Sequence, residues 1–176
     1  RIGDAGVMAY VSNAGWIDGN AADGMRACLR DEFSDLYVFH LRGNARTSGE
    51  HRRKERGNVF GEGTRTPVSI SLFVKNPESN EHGRIHFHDI GDYLDQKQKL
   101  DIVRNYASIG GISNTQGWSL IEPDEYSDWL NQRDGSFEAF IKIGDKKDKA
   151  GQALFENYSR GIETARDAWI YNSSKI

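Results

Sequence analysis

Cysteine is nearly absent from this chain: Cys28 is the one thiol in 176 residues. A lone cysteine excludes an intramolecular disulfide and a cysteine zinc cluster, and it suits a reducing, cytoplasmic setting. Long apolar runs are missing as well. None approaches the roughly 18 residues of a membrane-spanning helix, so neither a membrane partner nor a secretory leader is expected. The first residue is Arg1 rather than Met, from which we expect a piece of a longer protein. There are three prolines, Pro67, Pro77 and Pro123, and no two are adjacent. Hydrophobic residues make up 37% of the sequence. At this length that is enough to bury a real core in one domain, or one domain with a small appendage.

What the chain does have is positive charge in one place. Between Arg42 and Arg65 lie Arg42, Arg46, Arg52, Arg53, Lys54, Arg56 and Arg65 against three glutamates, a local charge of +4. The whole chain carries −3, so the remainder carries −7. Cations gathered on a glycine-rich segment are how a protein grips a phosphate backbone. Phe60, between Val59 and Gly61, adds a flat apolar ring to the same segment. A solvated surface loop is the other reading of this window, and composition alone does not choose between them.

The apolar pattern predicts an α/β chain without repeats. Val7-Met-Ala-Tyr-Val11 is a continuous apolar run, short enough for a strand buried on both faces. Asn20 is placed to cap a helix with Asp23 in its first turn, and Met25, Leu29 and Phe33 share one face beside Cys28. Leu36 to Leu41 predicts a second strand, and Thr66-Pro67 marks the entry to a third, Val68 to Val74. Asn76 to Gly83 reads as a turn joining that strand to Arg84-Ile-His-Phe-His88, so these two are expected to form a hairpin. Tyr93 to Ala107 predicts a charged helix showing Leu94, Leu100, Ile102 and Val103, and Gly110 to Gly117 predicts a loop.

In this order the motifs Gly6-Val-Met-Ala-Tyr-Val-Ser-Asn-Ala-Gly-Trp-Ile-Asp-Gly19, Gly24-Met-Arg26, Leu41-Arg-Gly-Asn44 and Asn58-Val-Phe-Gly-Glu-Gly63 run into Asp89-Ile-Gly-Asp-Tyr-Leu94, Asp128-Trp-Leu-Asn-Gln-Arg133 and Tyr158-Ser-Arg-Gly-Ile-Glu-Thr164. With them the chain resembles the later half of an N6-adenine DNA methyltransferase. The likeness is closest to the methyltransferase part of single-chain restriction–modification enzymes of the type ISP group. It covers nearly the whole chain, and the order and spacing of the motifs are more specific than any one of them.

The resemblance implies the later half of a Rossmann-like methyltransferase sheet with a final β-hairpin, followed by a smaller mixed segment. It divides the chain into residues 1–92 as the end of the catalytic domain, 93–157 as a connecting segment, and 158–176 as the entry to a target recognition region. Such enzymes swing the target adenine out of the duplex and stack it between two aromatic rings. Phe60 matches the ring that precedes the hairpin, with packing at a strand end as its alternative. The DNA contacts implied are Arg42, Arg46, Arg52, Arg53, Lys54, Arg56, Arg65 and, in the tail, Arg166. Relatives often carry glycine where this tail has Ala165, so the turn around Arg166 departs from the pattern, and an inward-packed Trp169 and Tyr171 is the competing reading.

Absences then bound the chemistry. With no adjacent prolines there is no Pro-Pro catalytic tetrapeptide, and no strand runs into the glycine turn and acidic residue that seat S-adenosylmethionine. The resemblance therefore implies S-adenosylmethionine in the parent protein and none on this fragment, which alone should be inactive. Expected partners are double-stranded DNA, the upstream half of the methyltransferase domain, and further copies of the fragment by self-association. A non-enzymatic DNA-binding module is one alternative. A metal-dependent nuclease built on His86, His88 and Asp89 is another, because His86 and His88 share a strand face. Alternate histidines more often satisfy polar neighbours, so no metal is assigned. The tryptophans Trp16, Trp118, Trp129 and Trp169 lack regular spacing and read as core anchors.

Overall fold

Along its whole length the first strand, β1 (Gly6–Asn13), alternates half-buried and exposed side chains. That period of two marks a strand covered on one face. Met8 and Tyr10 pack against a core, while Val7 and Val11 on the other side are 62% and 52% exposed. The expectation of burial on both faces is corrected here. The run is uniformly apolar, yet β1 is the edge strand of its sheet and nothing described covers its second side.

The structure, a computed structural model, describes residues 2–61, 63–145 and 151–155. Residues Arg1–Arg133 form one compact unit and Asp134–Ile176 another. The first unit is a mixed α/β fold around an open five-stranded sheet. Its further strands are β2 (Asp35–Arg42), β3 (Val68–Lys75), β4 (Arg84–Asp89) and β5 (Ser119–Ile121), in the order β1-β3-β2-β4-β5. Strand β3 runs antiparallel to both β1 and β2, β4 runs parallel to β2, and β5 closes antiparallel on β4.

The predicted hairpin between β3 and β4 does not form. β2 lies between them, and the connecting loop passes over its start, where the Gly83 N–H donates to Phe33 O and the Arg84 N–H to Ser34 O. Only glycine suits this crossing: Gly83 has φ +68°, and a Cβ there would lie 2.9 Å from Arg30 O. The antiparallel partner next to β3 in sequence is β2, across the basic loop.

Among the described residues there are five α-helices: α1 (Gly15–Asp18), α2 (Asp23–Glu32), α3 (Gly49–Lys54), α4 (Gln96–Tyr106) and α5 (Ile109–Asn114). Asn20 falls in a short 3-10 turn and no side chain caps α2. Of the predicted inward face, Leu29 packs on the core but Met25 is 45% exposed, and the fully buried residue of α2 is its neighbour Arg26. Phe33 sits just beyond α2 and enters the core by itself. The start of α4 is held by a capping box between Asp95 and Gln98. Helix α5 replaces the expected loop. Ser108 Oγ accepts from the Gly111 N–H, and a Cβ on Gly111 would lie 1.9 Å from Tyr106 O, so glycine there allows the chain to fold back tightly on α4.

Alternate side chains of β2 feed two cores on opposite faces of the sheet. Leu36 and Val38 join Phe73, Ile85, Phe33 and Trp129. Phe39 and Leu41 join Val68, Ile90 and Ile112, with Leu94, Ile102 and Val103 from the α4 region packed against them. In the second unit, a 3-10 turn (Gly135–Ala139) precedes an isolated parallel bridge between Lys142 and Ala153. The tail from Tyr158 on, with Arg166, Trp169 and Tyr171, lies outside the described residues. Among the described residues no helix is long and apolar enough to cross a membrane.

Candidate nucleic-acid interface

The loop between β2 and β3 begins where the β2 register shifts, between His40 and Arg42. Arg42 and Gly43 both take positive φ, 57° and 95°, which turns the chain out of the sheet. One side chain then organises the rest of the loop. Asn58, only 8% exposed, donates from Nδ2 to Gly43 O and Thr66 O, closing both ends of the loop. Its Oδ1 accepts from the Phe60 N–H at 3.0 Å. Val59 turns toward the second core, but Phe60 is 65% exposed and belongs to neither core. The ring is therefore held out on a fixed backbone.

The cations divide into two groups. Arg42 is turned inward, its Nε 2.7 Å from Asp89 Oδ1 and its Nη1 on Asp92. Lys54 Nζ lies 3.6 Å from the same Asp92, and Arg53 pairs with Glu50. These three each face an acid within the fold, Arg42 half-buried and Arg53 in an exposed pair. Arg46, Arg52, Arg56 and Arg65 are exposed and form no ion pair with a described residue. Beside them a polar cavity of about 410 Å³ is lined by Gly43, Gly57, Gly61, Arg52, Asn58 and Gln96.

Two groups beneath the loop sit in environments that perturb their charge. Burial pushes the Asp89 carboxyl upward, but His40 nearby and hydrogen bonds from Arg42 and the Gly91 N–H hold it well below the usual carboxylate range. Lys99, on α4, was not singled out by the sequence, yet it is wholly buried. Burial lowers its ammonium to about 8, against the opposing pull of the Glu55 carboxylate. The available signal was its position, four residues before Val103 on the core-facing side of α4.

The histidines do not assemble a metal centre. His86 Nε2 lies 3.0 Å from Asp35 Oδ1 and its ring stacks on Tyr37 at 4.3 Å, while His88 Nδ1 meets Gly117 O at 2.6 Å. Asp89 is held by Arg42. Among the described residues no group of three or more His, Cys, Asp or Glu is arranged to hold a metal ion, so the nuclease alternative has no ligand set. On the same face Tyr37, Phe39, Tyr106, Trp118 and Leu72 line an apolar groove of about 450 Å³ that extends to Ala9 on β1.

No protein-family model and no curated protein matches the chain. Solved structures do, among them three complexes with DNA or a DNA mimic. The ATP-dependent Type ISP restriction–modification enzyme LlaBIII, bound to DNA, is 41% identical over 96% of this chain, with a TM-score of 0.84. A nuclease-deletion mutant of the Type ISP enzyme LlaGI, in complex with a DNA substrate mimic, is 48% identical over 81%, with a TM-score of 0.72. A DrdV–DNA complex is 28% identical over 95%, with a TM-score of 0.76. The chain spans 11%, 11% and 16% of the lengths of those chains.

Proposed function

We propose that this chain is the DNA-facing later half of an adenine-specific DNA methyltransferase domain within a restriction–modification enzyme. One observation carries the reading. A fixed loop presents an exposed aromatic ring, Phe60, beside four arginines without acidic partners among the described residues, in a chain similar over nearly its whole length to enzymes solved with DNA. Arg46, Arg52, Arg56 and Arg65 contact phosphates, and Phe60 stacks on an adenine swung out of the duplex. Arg42, Arg53 and Lys54 keep the loop in place instead of touching DNA. Arg166 adds a contact from the target recognition region. S-adenosylmethionine and the catalytic tetrapeptide belong to the upstream half of the parent protein, in the cytoplasm, and this fragment alone neither binds the cofactor nor transfers a methyl group.

The test compares Phe60→Ala with the unaltered chain on two duplexes, one fully paired and one with an extrahelical adenine. One aromatic–base stack is worth roughly 1–3 kcal/mol. The substitution should remove about that much preference for the extrahelical adenine and leave the melting temperature unchanged, because the ring is exposed. A wild-type chain with equal affinity for both duplexes would defeat base stacking.

A further inference from the structure

Lysine is seldom fully buried unless paired, because its ammonium loses hydration that an apolar environment does not replace. Lys99 is 0% exposed, and no carboxylate lies within ion-pair distance of it among the described residues. Its partners are carbonyls of the basic loop: Nζ donates to Gly57 O at 2.8 Å and to Glu55 O at 3.3 Å. A methionine at this position would fill the space without the desolvation cost, so the two hydrogen bonds are what the ammonium specifically supplies.

Neighbouring donors take the carbonyls on either side. The Tyr93 N–H donates to Lys54 O at 2.9 Å, and Gln96 Nε2 donates to Val59 O at 3.0 Å. Four carbonyls of the six residues before Phe60, those of Lys54, Glu55, Gly57 and Val59, are thus bound by the short stretch from Tyr93 to Lys99. The approach is close enough to require glycine. Gly57 has φ +69°, and a Cβ on it would lie 2.7 Å from the Gln96 nitrogen. From the other side, the Glu55 carboxylate accepts from the Asn44 N–H.

From this geometry we infer that Lys99 is a positioning residue, an internal strut that with Gln96 fixes the Lys54–Val59 backbone and so aims the Phe60 ring at an extruded base. The inference rests on the base-stacking reading of Phe60 for its functional consequence, but the strut itself is testable without DNA. Asn58 sets the conformation of the turn, and Lys99 sets where that turn stands relative to α4.

Three variants of the full chain test it: Lys99→Met, Gln96→Ala, and Lys99→Cys in a Cys28→Ser background, alkylated with 2-bromoethylamine under denaturing conditions and refolded. Alkylation restores an ammonium at nearly the length of lysine. Amide hydrogen exchange is read on peptides covering 55–61, and affinity on duplexes carrying 2-aminopurine, either extrahelical or paired. In Lys99→Met we expect at least a tenfold loss of amide protection in this segment and a loss of preference for the extrahelical purine as large as in Phe60→Ala. Salt-dependent affinity for paired duplex should persist, because Arg46, Arg52, Arg56 and Arg65 remain. Gln96→Ala should shift both readouts the same way by less, and the alkylated cysteine should recover both where its unalkylated form does not. Unchanged protection in Lys99→Met, or no recovery on alkylation, overturns the strut. Should Lys99→Met not fold, unchanged protection in Gln96→Ala, whose side chain is exposed, overturns it equally. A wild-type chain without purine preference counts against base stacking, and the exchange readout then decides Lys99 by itself.

Discussion

The guanidinium of Arg26 and the carboxylate of Asp128 meet at 2.5 Å with 0% and 4% of their side chains exposed. Arg26 is also satisfied by the carbonyls of Ser127, Trp16 and Gly19, and Asp128 by Arg133 Nε at 2.7 Å. This network joins α2 to a segment a hundred residues later and explains why a charged residue occupies the core-facing position of that helix. Removing one partner of a buried pair leaves an uncompensated charge, at a cost of about 3–5 kcal/mol. Asp128→Ala should reach that range, because it strands Arg26. Arg26→Ala should cost less, because Asp128 keeps Arg133. Urea denaturation of both variants checks the order; the reverse order would mean that the carbonyl contacts, rather than the charge, dominate.

The same residue shows where sequence reasoning fell short. Periodicity found α2 and rightly turned Leu29 inward, but it chose Met25 over Arg26, since an arginine reads as solvent-facing until its partner is known, and Asp128 is too far along the chain to be seen. The extent of β2 was legible from its continuous apolar run and that of β3 from its alternation, and the α4 start lay close to its predicted place. The sheet order was not. An antiparallel pair joined by Asn76–Gly83 is locally indistinguishable from a hairpin, and only the insertion of β2 between them decides the matter. Exposure of Val7 and Val11 was hidden for a similar reason: a run of apolar residues does not say which face has neighbours. In the basic loop, composition located the charge, but division into free and committed cations depended on Asp89, Asp92 and Glu50. Only its place on the core-facing side of α4 hinted at Lys99, because its acceptors are backbone carbonyls, which leave no mark on composition.

That division of cations predicts a graded salt response. Each phosphate contact neutralised by a cation contributes about 0.9 to the slope of log K against log salt on duplex DNA. Replacing Arg46, Arg52, Arg56 or Arg65 with Gln should each lower the slope by about that amount and leave stability unchanged. Arg42→Gln should do the opposite, lowering the melting temperature by taking the guanidinium away from Asp89 and Asp92 while leaving the slope alone. Fluorescence anisotropy across a potassium chloride series, paired with thermal melts, reads both. Equal slopes for Arg52→Gln and the wild type would remove Arg52 from the interface.

Asp89 is expected to contribute to the acid limb of stability. Its folded-state pKa lies below its unfolded value, so its stabilising contribution is complete above the ordinary carboxylate range. That contribution is lost as pH falls from about 4 toward the folded value, where the native state must take up a proton. Charge-assisted hydrogen bonds of this kind, partly screened by solvent, contribute about 1–3 kcal/mol. Asp89→Asn should lower stability at pH 7 by that amount and flatten the decline between pH 5 and pH 2, as followed by denaturant midpoints. A variant with an unchanged acid limb would place the acid sensitivity elsewhere.

The edge of the sheet predicts behaviour in solution. β1 pairs with β3 alone among the described strands, so one side of its backbone offers unpaired N–H and C=O groups, and Val7 and Val11 stand exposed along it. An open edge beside an apolar face is a template for another chain. In the proposed parent enzyme the upstream half of the methyltransferase domain is expected to take that place, and in the isolated chain a second copy. Sedimentation equilibrium should therefore show reversible, concentration-dependent self-association. Val7→Lys and Val11→Lys together should abolish it, because edge lysines are costly to bury between strands, and duplex affinity should be unaffected since β1 carries none of the loop cations. Calorimetry on the same chain should detect no S-adenosylmethionine binding, because the elements that seat the cofactor belong, in the proposed parent, to the upstream half. A wild-type chain that stays monomeric at all concentrations, or that binds the cofactor at micromolar levels, would mean that β1 is not where the upstream half joins.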